Sequence, residues 1–148
     1  NLNVPMCFSE SPLMHGGGCY YGSVKSLVLR KAPNEAFYVI VTLGGADGGD
    51  YWTSFLFLHI DKNCKITLLS KFYGAYGVNF GEDDPGTKIT YRFVDDKTVE
   101  VTTKRLLAQH IAQSTEFVEK KKKRTTERFN LEDLYNNPQS RVFPSKAE

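Results

Sequence analysis

The residue type best suited to covalent chemistry lies near the start of the chain, where three glycines precede Cys19 in "HGGGCYYG", residues 15–22. Flexible glycines expose backbone N–H groups that can hold an oxyanion, and His15 offers a base close in sequence. A catalytic thiol also needs a positioned base or cation that lowers its pKa, and the sequence specifies none. No catalytic residue is assigned, and an enzyme that uses Cys19 ranks third among the functional hypotheses.

The three cysteines, Cys7, Cys19 and Cys64, make an odd count. They allow one disulfide and a spare thiol, or three free thiols in a reducing compartment. If the chain is oxidised, either Cys7–Cys19 or Cys7–Cys64 would tie the N-terminal segment to the rest of the protein. The cysteines alone do not decide between these pairings.

Residues that could bind a metal are spread along the chain. His15, His59 and His110 lie on separate segments, without the close pairing typical of metal ligands. The stretches 44–50 and 81–86 are rich in Gly and Asp but lack EF-hand spacing, so they are interpreted as turns or as loops at the mouth of a cavity. No metal and no cofactor are expected.

Charge does not point to a specific nucleic-acid partner. Lys+Arg of 19 against Asp+Glu of 17 gives a formal net charge of +2. The basic run "EKKKKR", residues 119–124, is interpreted as the solvated face of a helix, with interleaved glutamates. The alternative is a weak contact with an anionic surface through Lys120, Lys121, Lys122, Lys123 and Arg124.

The elements that must position these residues are mostly strands. Short β-rich segments separated by turn residues predict six or seven consecutive strands, and the segments are 20–32, 35–45, 51–61, 64–74, 87–95 and 98–107. Helical spacing after Ser114 predicts a capped helix over 115–128. Residues 1–18 are expected to be an extended lead-in and residues 138–148 a loose tail, within one domain spanning 1–148.

This pattern predicts a mainly β protein. Successive strands joined by short turns, followed by one late helix, indicate an antiparallel up-and-down β-barrel with an outer C-terminal helix. The same strand spacing also suits a two-sheet β-sandwich, which is the alternative fold.

Two stretches carry a resemblance to a known family. "GCYYGSVKS", residues 18–26, resembles the Gly-x-Trp-Tyr start of the lipocalin barrel, and "AQSTEFVEKKKKRTTERFNLEDLYN", residues 112–136, is similar to the linker and outer helix that follow its last strand. The resemblance implies that Gly18 and Tyr20 close one end of the barrel and that Arg105 stacks on the Tyr20 ring.

The leading hypothesis is a non-enzymatic protein that binds or transports a small apolar or amphiphilic ligand in a β-barrel cavity. The abundance of aromatic residues, 13% of the chain, supports it. His59 or a tyrosine hydroxyl would orient a polar head group. The expected ligand-binding residues are Phe37, Val39, Val41, Phe55, Phe57, His59, Phe72, Tyr91 and Phe93.

The second hypothesis is a protein–protein interaction module that presents loops and the basic helix on a β scaffold. A barrel interior filled by side chains would favour it. A secreted, extracellular protein is expected, and the undecided state of the cysteines keeps a cytoplasmic one as the alternative.

Overall fold

The computed structural model describes the backbone of residues 3–7 and 19–137, with side chains from residue 23 onward except that of residue 122. Strands alternate with short turns along almost all of this length. The strands are β1 Asn3–Cys7, β2 Cys19–Ala32, β3 Ala36–Asp47, β4 Asp50–Ile60, β5 Ile66–Gly77, β6 Thr87–Phe93, β7 Thr98–Ile111 and β8 Ser114–Asn130. A 3-10 turn covers Val78–Phe80, and the helix α1 covers Leu131–Asn136.

The strands form two antiparallel sheets in chain order. One contains β1 to β5 and the other β6 to β8. An isolated bridge between Tyr76 and Gly86 joins them. The predicted mainly β fold with antiparallel strands is confirmed. Within the described residues, β1 pairs with β2 and β8 with β7, and no pairing closes the sheets into a barrel.

The predicted helix over 115–128 is wrong, because this segment lies in strand β8. Residues 114–130 pair with β7 along most of its length, so cross-strand hydrogen bonds and packing outweigh the helical spacing. β-branched residues such as Thr125 and Thr126 also favour a strand. Ser114 does not cap a helix; its hydroxyl donates to the carbonyl oxygen of Ile111 in the turn before β8.

The short helix instead follows β8. The side chain of Asn130 accepts hydrogen bonds from the backbone N–H groups of Glu132 and Asp133, which makes Asn130 the N-cap of α1. Leu131 in the first turn is buried in the core between the two sheets. The helix is therefore anchored to the core by its first residue.

The basic run forms a bulge in β8. Lys104 pairs with Arg124, but Leu106 pairs with Glu119, so residues 120–123 oppose Arg105 alone. An insertion of this kind bends a strand and separates it locally from its neighbour. The lysines of this run thus lie at a break in the sheet rather than along a helix.

Candidate functional site

The core between the sheets contains most of the predicted ligand-binding residues. Six of them either belong to it or lie beside it: Phe55, Phe57, His59, Phe72, Tyr91 and Phe93. The aromatic rings contact one another, with centroids 4.8 Å apart for Phe55 and Tyr91 and 4.9 Å apart for Phe57 and Phe72. Around these rings, side chains from both sheets fill the space between the sheets.

The three predicted residues of β3 lie on the opposite face. Phe37, Val39 and Val41 alternate with Tyr38 and Ile40, and it is the latter two that belong to the core. A shift of one residue exchanges the two faces of a strand. Because both faces of β3 are apolar, the alternation of residue types did not reveal which side faces inward.

His59 is buried between two tyrosine rings. Its imidazole centroid is 4.0 Å from that of Tyr135 on α1, in a stacked arrangement, and 5.7 Å from that of Tyr38. These contacts join the helix to the end of the core. His59 therefore packs within the aromatic core, at the end of it that α1 covers.

A second aromatic group lies at the other end of the same sheet face. Tyr51 and Tyr76 oppose each other on β4 and β5 and stack with ring centroids 5.2 Å apart. The ring of Phe117 on β8 meets Tyr76 edge to face at 5.4 Å. Tyr51 is 43% exposed, so this end is open to solvent, whereas His59 at the other end is only 5% exposed. We call these three residues the aromatic rim.

A row of small residues separates the aromatic rim from the core. Strand pairing places Thr53 opposite both Gly44 and Gly74. A Cβ atom at Gly74 would lie 2.9 Å from Cγ2 of Ile89. The space above Gly74 is thus occupied by Ile89 from the second sheet. Gly44 and Thr53, in the same row as Gly74, also have small side chains, so the row lacks any large side chain from the first sheet.

A lysine crosses the edge of this row. A Cβ atom at Gly44 would lie 3.4 Å from Cγ and 3.5 Å from Cε of Lys25. The pairing of β2 with β3 shifts between Val24 and Ser26, and Lys25 is the extra residue in that bulge. Its alkyl chain therefore lies over the glycine, and the residue as a whole is exposed.

Two buried hydroxyl groups lie on the inward-facing side of the first sheet. Oγ1 of Thr42 and Oγ of Ser70 have no hydrogen-bond partner among the described residues. Thr42 opposes Phe55 and Ser70 opposes Phe57, so both point to the core side. A buried hydroxyl without a partner carries a desolvation cost, which a polar atom of a ligand would offset.

Charged pairs flank the open end. The guanidinium of Arg105 donates to both carboxylate oxygens of Asp84, and this hydrogen bonding holds the pKa of Asp84 below its ordinary value. Nε2 of His110 lies 3.0 Å from Oε1 of Glu82. Burial, and to a smaller extent Tyr51, raise the pKa of Tyr76, which therefore stays a neutral phenol.

The expected closure of the barrel lies mostly outside the described side chains. Gly18 is not among the described residues, and Tyr20 is described only as backbone in β2. Arg105 binds Asp84. Stacking of Arg105 on Tyr20 stays a prediction.

Comparisons with protein-family models, curated proteins and solved structures find no match to this chain. No helix in the described part of the chain is long and apolar enough to span a membrane.

Several residues of this site were not found from the sequence. Lys25, Thr42, Tyr51, Tyr76 and Phe117 are absent from the predicted set. Tyr51 is the first residue of the predicted strand 51–61, and Tyr76 lies just beyond the predicted strand 64–74. Phe117 lies in the segment predicted to be a helix. The glycines at 44 and 74 were the available signal, since glycine inside a strand often marks a close approach of another group.

The outer face of the first sheet is also strongly apolar. Strand pairing aligns Leu29, Val39, Leu58 and Leu68 in one row across four strands. Leu29 is 51% exposed and Leu68 is 55% exposed. We call this row the outer leucine row. Val39 between them is only 3% exposed, so this row is exposed mainly at its two ends, Leu29 and Leu68. Exposed apolar side chains that lie close together are typical of contact surfaces.

Proposed function

We propose that this protein binds a small amphiphilic molecule with an anionic head group, held between the two sheets near the aromatic rim. The observation that carries the proposal is the row of small residues, Gly44 and Thr53, between the rim and the aromatic core. Small side chains flanked by aromatic rings on the same face are suited to receiving a flat or linear apolar group. Burial of apolar surface would supply the affinity, at about 25 cal/mol per Å² before the costs of binding are subtracted.

The polar groups of the site suggest how the ligand is oriented. Its apolar part would contact Phe55 and Phe72, next to the unpartnered hydroxyl of Thr42. Its anionic group would lie at the exposed end, within reach of the Lys25 ammonium. A long-chain carboxylate has this division between an apolar chain and a charged end. In this arrangement His59 lies deep in the core and does not touch the head group.

The strand order supports a lipocalin-like barrel as the finer form of the fold. Every consecutive pair of strands within each sheet is antiparallel, and the Tyr76–Gly86 bridge continues the order from β5 to β6. An up-and-down barrel has this order, whereas Greek-key sandwiches do not. Pairing of β1 with β8 in an experimental structure would complete the barrel, and two open sheets would contradict it.

The backbone pairing also favours an oxidising, extracellular location. Cys7 lies directly opposite Cys19 on β1 and β2, whereas Cys64 is an exposed free thiol. Directly opposed residues in antiparallel strands bring their Cα atoms within disulfide range. Alkylation without reduction followed by mass analysis should modify Cys64 alone. Modification of all three cysteines in protein purified from an oxidising compartment would contradict this location.

A blocking variant tests the proposed binding site. Thr53→Phe places a large ring in the row of small residues, and we expect it to abolish uptake of a fluorescent long-chain fatty acid that the wild type binds. The matched control is Thr90→Phe, which adds the same ring at an exposed position on β6. Equal uptake by the wild type and Thr53→Phe would place the ligand elsewhere. Lys25→Gln should weaken binding of the acid but not of the corresponding alcohol.

A second candidate function is docking of a protein segment on the outer leucine row. Lys31 and Lys71 lie on the same face, in the two rows on either side of the outer leucine row. The other positions of these two rows include no carboxylate; they are Phe37, Ile60, Ile66, Leu27, Val41 and Leu56. An apolar surface with basic flanks complements an amphipathic segment whose apolar side is flanked by Asp or Glu.

The docking candidate has its own test. A synthetic helix with a leucine face flanked by glutamates should bind the wild type, and Leu29→Ser with Leu68→Ser should remove this binding. The control is Val94→Ser, at an exposed valine in the turn after β6. A concentration-dependent dimer in sedimentation, or binding to anionic vesicles in place of the peptide, would assign this face to a different occupant and overturn the candidate.

A further inference from the structure

The outer face of the second sheet carries a regular grid of polar residues. Strand pairing places Lys88, Lys104 and Arg124 opposite one another across β6, β7 and β8. The next outward-facing row is Thr90, Thr102 and Thr126, and the one after it is Arg92, Glu100 and Arg128. We call these nine positions the basic grid. It lies on the side of the sheet opposite the core residues Val99 and Val101.

The row formed by Lys88, Lys104 and Arg124 is unfavourable for the fold on its own. Neighbouring strands lie about 4.8 Å apart, and like charges directly opposite each other destabilise a sheet. Glu119 neutralises Lys104 at 3.0 Å. Among the described side chains, Lys88 and Arg124 have no ion-pair partner. An anion bound to the row would relieve this repulsion.

The arginine row holds its guanidinium groups in fixed positions. Nε of Arg92 donates to Oε1 of Glu100 at 2.8 Å, and Nε of Arg128 donates to Oε2 at 2.9 Å. The Glu100 side chain is only 9% exposed, while those of Arg92 and Arg128 are 67% and 64% exposed. Each arginine is thus anchored through Nε and keeps its terminal Nη groups available for a ligand. Such preorganisation lowers the entropy cost of binding an anion.

The charge and shape of the grid select the class of ligand. With Glu119, it has five cations and two carboxylates, a formal charge of +3. The arginine row and the lysine-containing row lie about 13 Å apart along the strands, separated by short threonines. No aromatic ring is present among the nine positions to stack on a base, and no large apolar side chain to enter a membrane. What is left is cations and hydroxyl groups, with Thr90 and Thr126 exposed and Thr102 buried between them.

We infer that the basic grid binds a linear sulfated polysaccharide, lying across the threonine row with its sulfate groups on the cations at either side. This surface is separate from the proposed ligand site between the sheets, and its occupancy does not depend on that proposal.

The test compares two charge-matched double variants of the full chain, titrated with a heparin-derived oligosaccharide at several salt concentrations. Lys88→Gln with Arg124→Gln should weaken binding about tenfold or more and should lower the salt dependence of log Kd by about two. It should also raise the thermal midpoint, because it removes the repulsion. The control, Lys62→Gln with Lys65→Gln, removes the same charge from the turn between β4 and β5 and should change binding little.

A second variant keeps the charge and changes only the geometry. Arg92→Lys removes the guanidinium fork, so we expect weaker binding of the oligosaccharide with an unchanged salt dependence. Equal weakening by the two double variants would show that net charge alone attracts the polymer and would overturn the inference. So would the absence of binding by the wild type, or equally tight binding of single-stranded DNA with the same response to the variants.

Discussion

Gly86 forms an antiparallel bridge with Tyr76 at the point where the two sheets meet. The carbonyl oxygen of Gly86 accepts a hydrogen bond from the N–H of Leu106 at 3.0 Å. The carbonyl oxygen of Pro85, the residue before Gly86, accepts one from the N–H of Gly77 at 2.8 Å. Gly86 has a φ of 111°, a conformation that favours glycine. The connection between the sheets therefore depends on a residue without a side chain.

We expect Gly86→Ala to destabilise the fold strongly. The added Cβ would collide with the carbonyl oxygen of Ala75 and would lie 2.8 Å from Cα of Tyr76. The matched control is Gly81→Ala, since Gly81 has a φ of 103° but no atom within 4 Å of an added Cβ. Conformational strain should cost both variants about 1–3 kcal/mol, and the collision should cost Gly86→Ala at least about 1 kcal/mol more. Urea denaturation measures both, and equal losses would show that the bridge tolerates a side chain.

The cap of α1 gives a second prediction. The Asn130 side chain accepts hydrogen bonds from the N–H groups of Glu132 and Asp133, at 3.0 Å and 3.2 Å. Asn130→Ala should lower the free energy of unfolding by about 1 kcal/mol, and Asn130→Asp should retain most of it because aspartate also caps helices. Equal destabilisation by the two variants would mean that the cap contributes little.

The pairing of Glu100 with two arginines predicts a dependence of stability on pH. Hydrogen bonds from Arg92 and, to a smaller extent, Arg128 lower the pKa of the Glu100 carboxyl in the folded state. A lowered folded-state pKa adds stability above the pKa of the unfolded chain, about 4.3, and this stability is lost as the pH falls through the folded-state value.

The measurement is the difference in unfolding free energy between the wild type and Glu100→Gln as a function of pH. This difference in unfolding free energy should be largest and constant above about pH 5, and it should shrink below about pH 4. Glu116→Gln, at an exposed position near the start of β8, is the control and should show a much weaker trend. A pH-independent difference for Glu100→Gln would mean that its carboxylate gains nothing from the two arginines.

The strands could be predicted because their alternation and turn residues are local signals. The six predicted segments overlap β2 to β7. The first two hairpin turns contain Pro33-Asn34 and Gly48-Gly49. The helix over 115–128 failed for the opposite reason. Its helical spacing is local, but the partner that holds residues 114–130 extended is β7, and a single stretch of sequence does not show its partner.

The candidate site could be predicted only in part. Both β3 and β4 are apolar on their two sides, so the residue types did not fix which side faces the core. Phe55 and Phe57 face it, whereas the inward residues of β3, Tyr38 and Ile40, were missed. The aromatic rim depends on the pairing of Tyr51 with Tyr76 across two strands. Such a contact is set by register, which residue types alone do not fix.

The most direct test of the proposed function is native mass spectrometry of the wild type and Thr53→Phe, each mixed with a long-chain fatty acid and then transferred to the gas phase. We expect a one-to-one complex with the wild type, lost on denaturation, and none with Thr53→Phe. Both proteins should keep the same thermal midpoint within a few degrees, because Thr53 is partly exposed. A wild type that stays at its unbound mass at every fatty-acid concentration, with Thr53→Phe indistinguishable from it, would contradict the proposal.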